Sequence, residues 1–208
     1  STSKHTYHLV EGDSEIEKLV AHLTKQKSFC FDTETTSLET RDAKLVGIAF
    51  ATEKGEAWYV PCFENANEII SKFKVVLENE SVQKIGKNLK YDIQILRNYG
   101  ITVKENIFDT MLAHFMLDSD SANSMDWLAD KYLNYTTIKY EQVVGPKGKN
   151  QKTIDQIETQ KVSDYACEDA DITLQLKEIL EKDIKERKLE KLLHEVEEPL
   201  SFVLADME

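Results

Sequence analysis

Residues 28–36 read Ser-Phe-Cys-Phe-Asp-Thr-Glu-Thr-Thr. The apolar run from Ser28 to Asp32 closes on acids, the pattern of a buried strand whose end emerges at a polar edge. Residues i and i+2 of a strand face the same side, so Asp32 and Glu34 point together and Thr33 turns away. Two carboxylates held side by side repel each other unless a cation or a proton intervenes. Taken alone, Asp32-Thr33-Glu34 reads most economically as an acidic turn leading into Thr35-Thr36-Ser37.

Downstream, Lys44–Thr52 and Glu56–Pro61 read as two further strands. The turn Glu53-Lys54-Gly55 between them predicts an antiparallel hairpin. Residues 67–77 place Ile69, Ile70, Phe73, Val76 and Leu77 at helical spacing. Ser81–Gly86 reads as a strand, Asn88–Tyr99 as a helix closed by Gly100, and Ile107-Phe108 as a last short strand. Helices are expected over Thr110–Leu117 and Met125–Leu133, and from Thr153 almost to the end. The charges between Glu178 and Lys191 make a solvated helix face. This order predicts an α/β fold, a mixed five-stranded sheet with one antiparallel member, flanked by helices. Three prolines and seven glycines leave no place for a flexible hinge, so one compact domain is expected.

Composition narrows the function. The 208 residues suit one domain, and a chain of this size buries about 70% of its extended surface without disulfides. No apolar run approaches the ~18 residues that span a bilayer, and the first ten residues lack the apolar core of a signal peptide. With 26 basic and 38 acidic residues the net charge is −12, which excludes a broad basic footprint on duplex nucleic acid. It leaves room for a small acidic pocket that holds phosphate through metal ions. Cys30, Cys62 and Cys167 form no CxxC, which excludes zinc-ribbon and redox motifs and points to structural thiols in a reducing cytoplasm. The five histidines are scattered without metal-ligand spacing. Trp58 and Trp127 read as core residues. Asp109 reads as the cap of the helix that follows it, and Lys147, Lys149 and Lys152 as a solvated loop.

Two more pairs stand out. Asn88 and Asp92, and later Tyr165 and Asp169, are four apart on expected helices and so share a face. Each has a plain reading: Asn88 caps its helix, Asp92 is solvated, Tyr165 is a half-buried aromatic. Together the three sites supply four carboxylates, a phenol and an amide from three elements that can converge at a strand-end crevice. Hard oxygen donors in this number suit magnesium or manganese. Two such ions ~4 Å apart clamp the attacking and leaving oxygens of a phosphodiester.

The segments FDTET (31–35), GKNLKYD (86–92) and YACEDADITLQL (165–176) resemble the three exonuclease motifs of bacterial family-A DNA polymerases. More broadly they resemble the DEDDy 3′–5′ exonuclease superfamily, whose fold is ribonuclease-H-like. The similarity covers nearly the whole chain, including residues 125–133, the loop 145–150 and the tail 195–208. The resemblance implies an exonuclease domain over 1–193, with 194–208 starting the linker helix into a polymerase domain of the same parent chain. It implies that Asp32, Glu34, Asp92 and Asp169 hold two Mg2+ or Mn2+ ions. Asp32, Glu34, Tyr165 and Asp169 are then catalytic, Tyr165 orienting the attacking water. Thr33, Leu38, Asn88 and Tyr91 contact substrate, Leu38 wedging beside the terminal base. The implied activity is hydrolysis of single-stranded or frayed DNA 3′ ends to nucleoside 5′-monophosphates, a proofreading step, by a monomeric bacterial cytoplasmic protein. Two alternatives remain: an exoribonuclease of the ribonuclease D type, and a catalytically silent DNA-end-binding scaffold. The tail and the wording around Asn88 and Asp169 disfavour the first, and the four intact acids disfavour the second. Two positions depart from the family pattern: Cys167 stands where a small residue is usual, and Lys87 replaces the polar residue before Asn88.

Overall fold

The structure, a computed structural model, describes residues 5–207. In chain order it comprises β1 (Thr6–Leu9), α1 (Asp13–Thr24), β2 (Ser28–Thr35), β3 (Leu45–Glu53), β4 (Glu56–Pro61), α2 (Ala66–Ser71), α3 (Lys74–Leu77), β5 (Gln83–Gly86) and α4 (Leu89–Asn98). Then follow β6 (Ile107–Asp109), α5 (Thr110–Leu117), α6 (Met125–Leu133), α7 (Tyr140–Val144), a 3-10 turn (Ile154–Gln156), α8 (Thr159–Glu186), α9 (Glu190–Leu192), a π turn (Leu193–Glu197) and α10 (Glu198–Met207). Glu208, the last residue of the polymerase-like tail, lies outside the described residues. No helix among those residues is long and apolar enough to cross a membrane.

The sheet runs in the order β1-β4-β3-β2-β5-β6. β3 is antiparallel to both of its neighbours, whereas β1 with β4, β2 with β5 and β5 with β6 are parallel. One strand therefore runs against the rest, as expected, but the sheet has six strands rather than five. The addition is β1, whose Thr6-Tyr7-His8-Leu9 has a single aliphatic residue and hence little strand signal. It is held through its register with Glu56–Tyr59. The ring of His8 also stacks on Trp58 at 5.4 Å.

Alternation along β2 divides the core. Phe29 and Phe31 face a cluster built from α1, α3 and α4, including Leu23, Phe73, Val76, Leu89 and Leu96. Cys30 faces the opposite cluster, which contains Ala113, Leu128 and the small residues Ala166, Cys167 and Ala170 of α8. Small side chains let the 28-residue helix α8 lie close over the sheet. Cys30, Cys62 and Cys167 are all buried free thiols, whose structural role follows from that burial. Trp58 and Trp127 pack only partly buried against the two cores.

Two expected helices are interrupted. Residues 67–77 split at Lys72-Phe73, where the Phe73 N–H bonds to Ile70 three residues back and the ring stacks on Phe50 at 4.9 Å. The tightened turn aims Phe73 into the core. The C-terminal helix begins at Thr159, not Thr153, and stops before Lys188, whose φ is 59°. The later π turn precedes Pro199, which has no N–H to offer the regular ladder. The α10 segment turns back onto α4, where Arg97 Nη1 donates to the Ala205 carbonyl at 2.9 Å.

Asp109 does more than its expected task. Its Oδ1 accepts from Met111 at 2.9 Å and Leu112 at 3.3 Å, capping α5. The same carboxylate accepts from Asn88 at 3.1 Å and Leu89 at 2.8 Å at the start of α4. Four helix-end N–H groups thus depend on one buried side chain. Asp109→Ala is expected to cost about 3 kcal/mol in denaturant unfolding, more than one ordinary cap. A loss under about 1 kcal/mol would show that water replaces the carboxylate.

Candidate active site

Asp32 and Glu34 emerge on the α8 face at the C-terminal end of β2, on the same side as Cys30. There they meet Asp169 of α8, and one carboxylate oxygen from each lies within 4.8 Å of the other two. Glu34 pairs with Gly47 and Thr35 with Leu45, so a bulge ends the β2–β3 ladder beside the acids. Gly47 is required here because a Cβ would collide with the ring of Tyr59, which lies across it. Tyr59 is almost wholly buried, and Glu34 is 8% exposed.

Asp92 approaches from the other face. Its Oδ1 accepts from the Thr33 N–H at 3.1 Å and the Thr33 hydroxyl at 2.5 Å. Thr33 does turn away from Asp32 and Glu34, and the partner on that side is Asp92. Thr33, expected to contact substrate, turns its hydroxyl inward onto Asp92. Asp92 stands outside the close group of Asp32, Glu34 and Asp169, but its charge and that of Asp32 act on each other. Its 3% exposure removes the solvated reading of this residue.

Asn88 precedes α4 with φ 61° and makes no side-chain cap bond; Asp109 caps the helix instead. Leu38 stands 90% exposed on the loop after β2. Tyr91 anchors that loop, donating to the Ser37 carbonyl at 2.6 Å and hydrogen-bonding Thr35.

Burial and mutual repulsion both disfavour charge on these carboxyls. Burial pushes the Asp32 carboxyl up to about 6, against the lowering effect of the nearby Lys87. Burial first, then repulsion from Asp32, pushes Glu34, Asp92 and Asp169 well above the carboxylate range. Tyr165 hydrogen-bonds Asp169, and burial with the adjacent carboxylates drives its phenol far above the usual value. Tyr165 is therefore a fixed donor and not a base. Buried oxygen donors that repel one another fit a hard divalent ion.

Sequence reasoning left other residues unassigned. Tyr140 stands edge-on to Tyr165 at 6.2 Å. Glu168 and Asp171 flank Asp169 but serve the fold. Glu168 accepts from the Tyr135 hydroxyl and the Ile138 N–H, each at 2.6 Å. Asp171 accepts from the Tyr7 hydroxyl at 2.8 Å and the Gly55 N–H at 2.9 Å. These bonds tie α8 to β1, to the β3–β4 turn and to the segment before α7, fixing the height of Asp169. A helix advances about 100° per residue, which is the signal that separates 168 and 171 from 169.

Residues 7–185 match a 3′–5′ exonuclease family profile. DNA polymerase I of Borreliella burgdorferi is 38% identical over 208 residues, covering 97% of this chain and 22% of that protein. DNA polymerase I of Pseudomonas aeruginosa is 36% identical, covering 97% of this chain and 23% of that protein. The chain thus spans about a fifth of the length of these relatives. Among solved structures, the catalytic core of Trypanosoma brucei RRP6 superposes with a TM-score of 0.77 at 17% identity, covering 97% of this chain and 53% of that one. Brucella melitensis NrnC with bound Mg2+ gives 0.73 at 15% identity, covering 99% and 93%. At these identities the two structures speak to the fold.

Proposed function

Given that the chain belongs to the 3′–5′ exonuclease family, we propose that it hydrolyses DNA from the 3′ end, releasing nucleoside 5′-monophosphates. The convergence of Asp32, Glu34 and Asp169 oxygens within 4.8 Å carries this reading. These three would hold one Mg2+ or Mn2+ ion, and Asp32, with Asp92 acting through water, a second. Bound there, divalent ions supply Lewis acidity, lowering the pKa of water and offsetting charge on the phosphate.

The side chains do the rest. The Tyr165 hydroxyl and the Glu34 carboxylate orient a water for in-line attack on phosphorus. An oxygen–phosphorus bond forms and the phosphorus–O3′ bond breaks, its electron pair leaving with O3′; the attacking water gives up a proton to solvent and O3′ takes one up from solvent to become the new 3′ hydroxyl. Leu38, at the end of the loop that Tyr91 anchors, meets the terminal base while Asn88 and Tyr91 line its pocket. None of these groups reads a base sequence. Selection of mismatched ends follows from fraying, because an unpaired nucleotide is drawn out at less cost. One copy of the chain supplies every group, so it acts as a monomer. DNA is favoured over RNA because the curated relatives are DNA polymerases. On the same ground, residues 1–193 are the exonuclease domain, and 194–208 begin the connection to a polymerase domain of the parent chain.

Single-stranded DNA labelled at its 5′ end tests this reading. With Mg2+ or Mn2+ the folded protein should shorten the strand one nucleotide at a time from the 3′ end. Intact DNA under these conditions would overturn the nuclease assignment, and faster loss of a matched RNA would favour the ribonuclease D alternative.

A further inference from the structure

Beside Glu34 the β2–β3 ladder is interrupted. Glu34 stands opposite Gly47 and Thr35 opposite Leu45, so Val46 is the extra residue of a bulge. The Leu45 N–H turns to a side chain, donating to the Tyr99 hydroxyl oxygen at 2.9 Å. Leu45 is fully buried, so its N–H depends on a partner inside the protein. Tyr99 follows the last turn of α4 and packs against the core that includes Leu89 and Leu96. The helix is fixed at both ends: Asp109 takes the N–H groups of Asn88 and Leu89, and Arg97 pairs with Asp206 at 2.7 Å. From α4, Tyr91 also donates to the Ser37 carbonyl at 2.6 Å, and Asn98 Nδ2 to the Thr40 carbonyl at 3.1 Å. Of these three grips on residues 37–45, the Tyr99 bond is the one at the bulge.

We propose that Tyr99 is a positioning residue for the hydrolysis: its hydroxyl oxygen, by holding the Leu45 N–H, sets where the bulge places the Glu34 carboxylate. The assignment rests on the reading of the site as a phosphodiesterase, in which Glu34 helps to hold a divalent ion and to orient the attacking water. Tyr99 acts through the backbone of β3, and the path is short. Leu45 pairs with Thr35, the residue after Glu34, and Gly47 pairs with Glu34 itself. Gly47 passes so close to the Tyr59 ring that a Cβ there would strike it. β3 is thus confined at Gly47 by Tyr59 and at Leu45 by Tyr99, on either side of the extra residue. Without the Tyr99 oxygen a buried N–H is left unpaired, an expensive state that the strand escapes by shifting. The shift falls where the ladder is least regular, beside Glu34. A displacement of about 1 Å in a group that orients a reactant can cost about a hundredfold in rate.

The test compares wild type with Tyr99→Phe, which keeps the ring and removes the acceptor, and with Asn98→Ala, which loosens the same segment away from the bulge. All three are assayed at a temperature where circular dichroism shows them fully folded. Tyr99→Phe should lower kcat on single-stranded oligo-dT about tenfold while KM stays within about threefold. Calorimetry on the DNA-free protein should show its Kd for Mn2+ raised about tenfold, the usual effect of losing a group that orients a ligand. Asn98→Ala should keep that Kd within about twofold of wild type. A merely structural Tyr99 would lower the melting temperature of Tyr99→Phe and leave kcat and Kd unchanged in the folded protein, which overturns the proposal. An equal loss of Mn2+ affinity in Asn98→Ala also overturns it, by placing the effect in the loop as a whole. A wild type that leaves the DNA intact would sink the phosphodiesterase reading instead, and the Mn2+ comparison then decides on Tyr99. Equal affinity of wild type and Tyr99→Phe, no binding by either included, removes its role.

Discussion

Asp169→Asn is expected to lower kcat at least about a thousandfold, because a lost metal ligand forfeits several kcal/mol of transition-state stabilisation and each ~1.4 kcal/mol is a factor of ten. The same change should raise the melting temperature of the metal-free protein. Asp169 is buried among acids and its carboxyl lies well above the usual range, so folding without metal works against its charge. Asparagine removes that charge and still accepts the hydrogen bond from Tyr165. Activity and stability therefore move in opposite directions, which a simple folding defect cannot produce. Steady-state hydrolysis and thermal melting in EDTA check the pair of outcomes. A variant that keeps activity within tenfold, or melts lower without metal, would remove Asp169 from the metal-holding group.

The second large effect links metal to pH. In the folded, metal-free chain burial pushes the Asp32 carboxyl up to about 6, and burial with repulsion from Asp32 raises Glu34, Asp92 and Asp169 well above the usual carboxylate range. In the unfolded chain such groups titrate near 4. Above the unfolded value the folded state binds more protons than the unfolded state, so stability falls as pH rises from about 4 through 6 and beyond. Below about pH 4 both states are protonated and the difference vanishes. Metal-free melting should drop on the order of 5 °C across that window beyond the change shown by Asp169→Asn. A divalent ion replaces the missing protons, so the gain on adding Mg2+ or Mn2+ should be larger at pH 8 than at pH 5.5. Melting curves with and without metal at the two pH values decide it. A gain that is equal at both, or larger at the lower pH, would contradict the clustered-acid account.

Much of this site is legible in the sequence because it rests on short periodicities. The two-residue period of β2 puts Asp32 and Glu34 on one face and Thr33 on the other. The four-residue spacing on α8 stacks Tyr165 over Asp169. What lies beyond such periods is not legible. Asn88 resembles a helix cap, but the carboxylate that caps α4 comes from Asp109, 21 residues away, and non-local capping has no local signature. Gly47 stands opposite Glu34 and the Tyr59 ring lies across Gly47, an arrangement set by strand register alone. α1 has little signature in the sequence although its Ile16, Leu19 and Leu23 are buried at helical spacing. Its N-cap is Gly12, without a side-chain bond, so the usual start signal is missing. The break at Lys72-Phe73 has a similar cause, since Phe73 keeps helical spacing while the core draws it inward.

The central claim is that these acids surround a common cation position at the end of β2. Anomalous diffraction from a crystal of the protein soaked in Mn2+ addresses it directly. A strong peak bounded by Asp32, Glu34 and Asp169 is the predicted result. Ordered side chains with no peak there, or Mn2+ bound only elsewhere on the molecule, would contradict it.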